Sequence, residues 1–278
     1  GSLGYKAYKK YSPTKESANL EEFYQASGSQ SAIFLNDELQ EAKGLSQGGH
    51  IYFPILWVNQ NLNERFYWDS NEWLLIYALP EEILRMDAAT RGASVAPVVV
   101  IQDQEAYLSD ELLLQYTNVR LQSFSGEVIR TFVDSKWEAE EWRTMKGGGT
   151  VREKGGIKSL VVAKEPEGAK AKVIDTMERW AKVRTEDGHI GYVENRKLGE
   201  KEERIYDSAY QAPVYQNISS DRKICLAWHQ VTSPEGNKSI QKLLQNTKGI
   251  NVISPTWYAL TDNDGHYNSF ADRSYVDY

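Results

Sequence analysis

Apolar residues fall along this chain in short runs separated by polar breaks, and the spacing within each run sets the element it predicts. Ala32-Ile33-Phe34-Leu35 has the length of a strand. Ile51 to Val58 is apolar throughout. Pro54 suits the first turn of a helix, and Ile55, Val58 and Leu62 then recur at helical spacing. Phe66-Tyr67-Trp68 and Trp73 to Tyr77 flank Asp69-Ser70-Asn71, a strand-turn-strand pattern closed by Pro80. Val98 to Ile101 is another strand, and Ser109 can cap a helix whose apolar face is Leu112, Leu113 and Tyr116. A shift of 55 residues superposes Tyr52 on Tyr107, Asn63 on Asn118 and Arg65 on Arg120. A constant offset of this kind points to a repeated α+β unit over residues 31–90 and 91–135, within a domain spanning 31–143.

The grammar then changes. Lys136 to Trp142 reads as a short charged helix, and Gly147-Gly148-Gly149 as a flexible hinge. That glycine run lacks the spacing of a phosphate-binding loop. Residues 144–199 read as a small all-β barrel, because Lys170 to Val173 and Trp180 to Thr185 alternate strictly. Asp187-Gly188 is a hairpin turn of the type that needs positive φ. Residues 200–222, opening on the charged run Gly199 to Arg204, read as a linker. The last segment, 223–278, is strand-helix-strand. Ile224 to Trp228 and Ile250 to Ser254 are the strands, Ile240, Leu243 and Leu244 form the helix stripe, and Gly249 stops the helix. Strands so uniformly apolar read as buried on both faces. The expected fold is therefore multidomain: an α+β tandem repeat, a small all-β barrel, and a single parallel α/β unit.

Composition adds exclusions. Of the 278 residues 41% are hydrophobic and 26% charged, which argues against a disordered or fibrous chain. No run approaches the roughly 18 apolar residues of a membrane span. With 32 basic and 39 acidic residues the net charge is -7, so nucleic acid is not an expected partner. The single cysteine, Cys225, forbids an internal disulfide, which suits both the cytosol and exported bacterial proteins that avoid thiols. Residues 1–30 read as a leader, opening on Gly1-Ser2 like the scar of a removed tag.

Three stretches resemble known families. Lys223 to Val231 together with Asn251 to Leu260 is similar to the first two strands of the family 18 glycoside hydrolase barrel in bacterial cell-wall and spore-associated members. Val151-Arg152, Trp180 to Val183, Asp187-Gly188 and Gly191-Tyr192-Val193 together resemble a bacterial SH3-like domain, of the kind that anchors cell-wall hydrolases. Gly49 to Pro54 and Tyr67-Trp68-Asp69 resemble the stalk domain named after copper amine oxidases, which implies no copper site. The order implies the targeting and stalk region of a secreted bacterial glycosidase acting on N-acetylglucosamine-containing polymers such as peptidoglycan or chitin, extracellular or attached to the wall. A purely structural spacer is the alternative.

The chemistry expected of this chain follows. The acidic signature Asp-x-x-Asp-x-Asp-x-Glu of family 18 is absent. A closed barrel takes about 250 residues, so the TIM-barrel start at 223–278 is expected to be incomplete and the chain inactive, with no catalytic residue assigned. By the resemblance, Trp228, Trp257 and Tyr258 could floor a sugar subsite; packing aromatics is the other reading. Residues 151–198 hold eleven Lys and Arg against eight Asp and Glu. That excess marks Lys182 and Arg184, beside Trp180 and Tyr192, as a candidate site for an anionic peptide stem or wall polymer. Cys225 and His229 share a strand face, with a buried structural cysteine expected. Asp262-Asn263-Asp264-Gly265-His266 begins like a calcium loop but has Arg273 where the closing Glu belongs, so a polar turn is expected. The four histidines lack ligand spacing; neither metal nor cofactor is implied. Unpaired strand edges in 223–278 imply docking on another domain or chain, or poor order.

Overall fold

A computed structural model describes residues 10–217, 219 and 221–278. The reading of Gly1-Ser2 lies outside those residues. The chain is mostly β-structure, 41% strand and 15% helix, in several sheets, none closed into a barrel. It divides into two compact units, 1–215 and 216–278.

Among the described residues the first unit contains helix α1 (Leu20–Tyr24), β1 (Gln30–Leu35), β2 (Glu38–Gln47) and β3 (His50–Pro54), then α2 (Ile55–Asn61). Pro54 ends the strand and caps the helix rather than lying in its first turn. Next come β4 (Tyr67–Asp69), β5 (Leu74–Ala78), β6 (Ile83–Met86), β7 (Val99–Gln102) and β8 (Glu105–Ser109). Helix α3 (Asp110–Tyr116) follows, capped as expected by the Ser109 hydroxyl, which accepts from the Leu112 amide at 3.2 Å. β9 (Arg120–Phe124) and β10 (Ile129–Asp134) complete a seven-stranded sheet ordered β7-β8-β3-β2-β1-β10-β9. β4, β5 and β6 form a separate three-stranded sheet.

The bounds of β3 and α2, shifted by 55, are those of β8 and α3. These two strands pair antiparallel, with Tyr52 opposite Ser109, Phe53 opposite Leu108 and Pro54 opposite Tyr107. Phe53 therefore faces its own counterpart, and the flanking pairs exchange under the same shift. In this pairing a local two-fold axis passes between Phe53 and Leu108.

The second sheet contains β11 (Glu140–Met145), β12 (Gly149–Arg152), β13 (Val161–Glu165), β14 (Lys170–Thr176), β15 (Trp180–Thr185), β16 (Ile190–Glu194) and β17 (Leu198–Arg204). Its order is β13-β12-β16-β15-β14-β11-β17, so the expected closed barrel is an open sheet. It also extends past the expected bounds. The end of the stretch predicted as a charged helix, Glu140 to Trp142, opens β11, and the charged run predicted as linker supplies most of β17. Across the pair Lys201 bonds Glu141 at 3.1 Å and Arg204 lies over the Trp142 ring at 4.0 Å. Charge alternating on an edge strand deters further pairing. Gly147 and Gly148 turn the chain at φ +59 and +69, a tight connection rather than a hinge.

Alternation along β1 joins the two sheets. Ile33 packs into one core with α2, α3, Leu75 and Tyr77. Ala32 and Phe34 point the other way, into a core with Phe132, Val151, Val162, Ala181, Val183 and Val193. Tyr24, fully buried, belongs to this second core, and Thr14 and Ala18 donate backbone hydrogen bonds to Ile157 and Val161. The described part of the expected leader is thus integral structure, and residues expected to form separate domains share one core.

In the second unit, β18 (Leu226–His229) and β19 (Val252–Pro255) pair in parallel around α4 (Ile240–Gln245). A hairpin of β20 (Tyr258–Leu260) and β21 (Tyr267–Ser269) and helix α5 (Arg273–Val276) follow. Its strands are not buried on both faces: Ile224 and Leu226 are exposed, and among the described residues only His229, Val231, Asn237 and Ile240 are buried.

Candidate functional site

Strict alternation in β15 sends Ala181 and Val183 into the core and Trp180, Lys182 and Arg184 to the opposite face. In register, Trp180 lies opposite Glu194, Lys182 opposite Tyr192 and Arg184 opposite Ile190. The four side chains predicted as one patch nevertheless separate into three environments.

Arg184 is the clearest departure, at 2% exposed. Its Nη1 donates to Asp37 Oδ1 at 2.7 Å and to Asp134 Oδ1 at 3.1 Å, while Nη2 donates to Asp134 Oδ2 at 3.1 Å. Burial alone would lower its pKa; the Asp134 hydrogen bonds and the Asp37 charge outweigh that and raise it. Lys172 adds bonds to Asp37 at 2.7 Å and Glu140 at 3.0 Å, and Arg120 reaches Glu140 at 2.7 Å. Arg184 is thus an internal ion-pair clamp between the sheets, closed to ligand. Nothing in the local pattern distinguished it, since the carboxylates that bury it come from distant residues.

Lys182 and Tyr192 line a 220 Å³ cavity with Phe23, Tyr24, Phe34, Leu39 and Ile190. It is mainly apolar, with Asp37 and Glu153 its acids. Burial pushes the Tyr24 phenol up to about 12, so the ring is neutral there.

Trp180 lines a different cavity, 370 Å³, bounded by the Gly147–Thr150 turn, Arg152, Lys164, Glu165, Glu194, Arg196 and Lys197. Gly155 lies against the indole: a Cβ there would sit 3.1 Å from the ring. Gly148 brings the turn close to the Glu165 carbonyl, where a Cβ would stand 3.0 Å away. The two acids are already engaged, Glu194 by Arg196 at 2.7 Å and Glu165 by His189 at 3.1 Å. Arg152 is 5% exposed and spends its guanidinium on the carbonyls of Ser159 at 2.7 Å and Thr14 at 3.1 Å. Burial lowers its pKa, opposed by the Glu194 charge. Arg152, Lys164 and Lys197 thus leave positive charge beside an indole face. In the sequence Lys164 and Lys197 count only toward a basic excess, Arg152 toward that excess and the SH3-like resemblance, and the glycines toward a hinge.

Two clusters bring possible metal donors together. Glu165, Asp187 and His189 converge at the β15–β16 turn, where His189 Nδ1 is 3.1 Å from a carboxylate of each acid. Burial opposes but the Thr185 hydrogen bond and the His189 charge prevail, holding Asp187 below the usual carboxylate range. Both carboxylates thus share the one imidazole as a hydrogen-bond partner. Asp262, Asp264 and His266 form the second, exposed cluster. The Asp262 carboxylate accepts from the amides of Asp264 and His266, so the loop is a polar turn closing the β20–β21 hairpin.

In the second unit, Trp228 is 79% exposed and shares an open groove with Tyr258, Gln230, Thr232 and Phe270. Trp257 turns away from it: its Nε1 donates to Asn237 Oδ1 at 2.7 Å, and its ring meets Tyr275 edge-on. Cys225 is exposed rather than buried. His229 has other partners, Tyr275 Oη at 2.9 Å and Ser239 Oγ at 2.8 Å.

No protein-family model, curated protein or solved structure matches this chain. Among the described residues no helix is long and apolar enough to cross a membrane.

Proposed function

We propose that this chain is a non-catalytic stalk and wall-binding region of a secreted bacterial glycosidase acting on N-acetylglucosamine-containing polymers, and that the cavity beside Trp180 takes an anionic peptide stem or wall polymer. In this reading 31–135 is the stalk repeat, the second sheet is an SH3-like variant, and 223–278 is the start of a family 18 barrel. The observation that carries the binding site is the cavity itself: an indole face and a glycine turn beside Arg152, Lys164 and Lys197, whose charges exceed those of the acids around them. Carboxylates of a peptide stem suit such cations, and an indole accepts a sugar or peptide face. Retention of the chain on purified peptidoglycan at low and moderate salt tests it. Binding should weaken with salt and fall severalfold in Trp180→Ala and in Lys164→Ala/Lys197→Ala. No retention at either salt overturns the binding site.

The spacer reading draws on the core shared by the two sheets, which makes a stiff body of the first unit. Unchanged wall association after Trp180→Ala and Tyr192→Ala, with the stalk still needed for activity of the intact protein, would favour it.

A further inference from the structure

Residues 205–215, expected to be linker, lie against the repeat body. The Arg120 guanidinium sits over the Tyr206 ring at 3.7 Å, and the Arg65 guanidinium over the Tyr215 ring at 3.5 Å. Arg65 and Arg120 are counterparts under the 55-residue shift, as are Asn63 and Asn118. Of the two asparagines Asn118 touches the segment directly, and Asn63 braces a carbonyl that the segment also uses. Asn118 Oδ1 accepts from the Ser208 hydroxyl at 2.6 Å. Asn63 Nδ2 donates to the Tyr116 carbonyl at 2.9 Å, and the Tyr210 hydroxyl donates to the same carbonyl at 2.9 Å. The Tyr215 hydroxyl donates to the Ala78 carbonyl at 2.7 Å. The repeat identities that follow the two helices are therefore gathered where this segment docks.

We infer that the repeat body carries a duplicated docking surface for an extended tyrosine-bearing segment, one arginine station per repeat, and that residues 206–215 are its occupant in this chain. The chemistry selects tyrosine. A guanidinium lies flat on the ring, where the π-face attracts it, and at the Arg65 station the phenol hydroxyl extends past the ring to a backbone carbonyl. A phenylalanine would keep the first contact and lose the second. The stations differ in what lies beneath them. Arg65 is exposed, whereas Arg120 also bonds Glu140 in the ion-pair network. The segment is thereby tied to the junction of the two sheets through the Arg120 station.

Chymotrypsin cuts after tyrosine, so it reads each station directly in the full-length native chain, with products mapped by mass. Cleavage of a briefly opened segment tracks the open population. Arg65→Ala should speed cleavage after Tyr215 about fivefold and leave cleavage after Tyr206 unchanged. Asn118→Ala, which spares the ion pairs of Arg120, should do the reverse. Tyr215→Phe should fall between wild type and Arg65→Ala at its own site. Cleavage after both tyrosines in the wild type at the rate of an unstructured peptide, or a rate after Tyr215 indifferent to Arg65→Ala, overturns the inference.

Discussion

Arg184 and Asp134 join the two sheets of the first unit through both terminal guanidinium nitrogens at 3.1 Å, with side chains only 2% and 3% exposed. Removing one member of such a pair leaves the other charged and buried. Arg184→Met should cost about 3–5 kcal/mol, read as a lower urea midpoint of the first unit. Arg184→Lys should recover only part of it, because an ammonium cannot reproduce the fork that spans Asp37 and Asp134.

Glu140 makes stability depend on acid. Burial would raise its carboxyl, but the bonds from Arg120 and Trp142 and the Lys172 charge hold it below the usual range. A carboxyl depressed in the folded state contributes stability that is fully present above its unfolded value, about 4.3, and is lost as pH falls through the folded one. The urea midpoint should therefore hold from pH 7 to about 5 and drop below about 4. Glu140→Gln should lower the neutral plateau and flatten the acid limb; an acid limb as steep as wild type would assign that loss to other carboxyls.

Gly188 is required twice over. Its φ is +78, and a Cβ would stand 2.2 Å from the Phe124 ring of the first sheet. Arg130 Nε also donates to its carbonyl at 2.7 Å, pinning the hairpin tip to the first sheet. Gly188→Ala combines positive-φ strain with overpacking and should cost about 2–4 kcal/mol in chemical denaturation.

That glycine shows what the sequence could convey. Asp187-Gly188 announced a turn, because positive φ is a local demand, and Ser109 announced a helix start for the same kind of reason. The contact with Phe124 is a partnership across 64 positions, which no local pattern encodes. The same limit hid β11 and β17. Glu140 to Met145 and Leu198 to Arg204 carry charges that suggest a solvated helix or linker, and become strands because they pair with each other, with Lys201 bonded to Glu141 and Arg204 over the Trp142 ring. At the candidate site, Trp180 was legible as an aromatic beside basic residues. Arg184 was placed with it by spacing, and its burial depends on Asp37 and Asp134, far away in the chain.

The second unit should yield before the first. Its buried apolar side chains among the described residues are Val231 and Ile240, against two extensive cores in the first unit. Burial of so little surface offsets little of the conformational entropy lost on ordering the segment. Thermal unfolding should show two transitions, the earlier one accompanied by loss of the His229–Tyr275 stack. Cys225 reports on the same unit without unfolding it. Because the thiol is exposed in the native chain, a disulfide reagent should modify it at close to the rate in the urea-denatured chain. Protection by more than about tenfold would mean that the surface around Cys225, where the chain enters β18, is covered in solution, and the stoichiometry of the native species by light scattering would then show whether a second copy covers it.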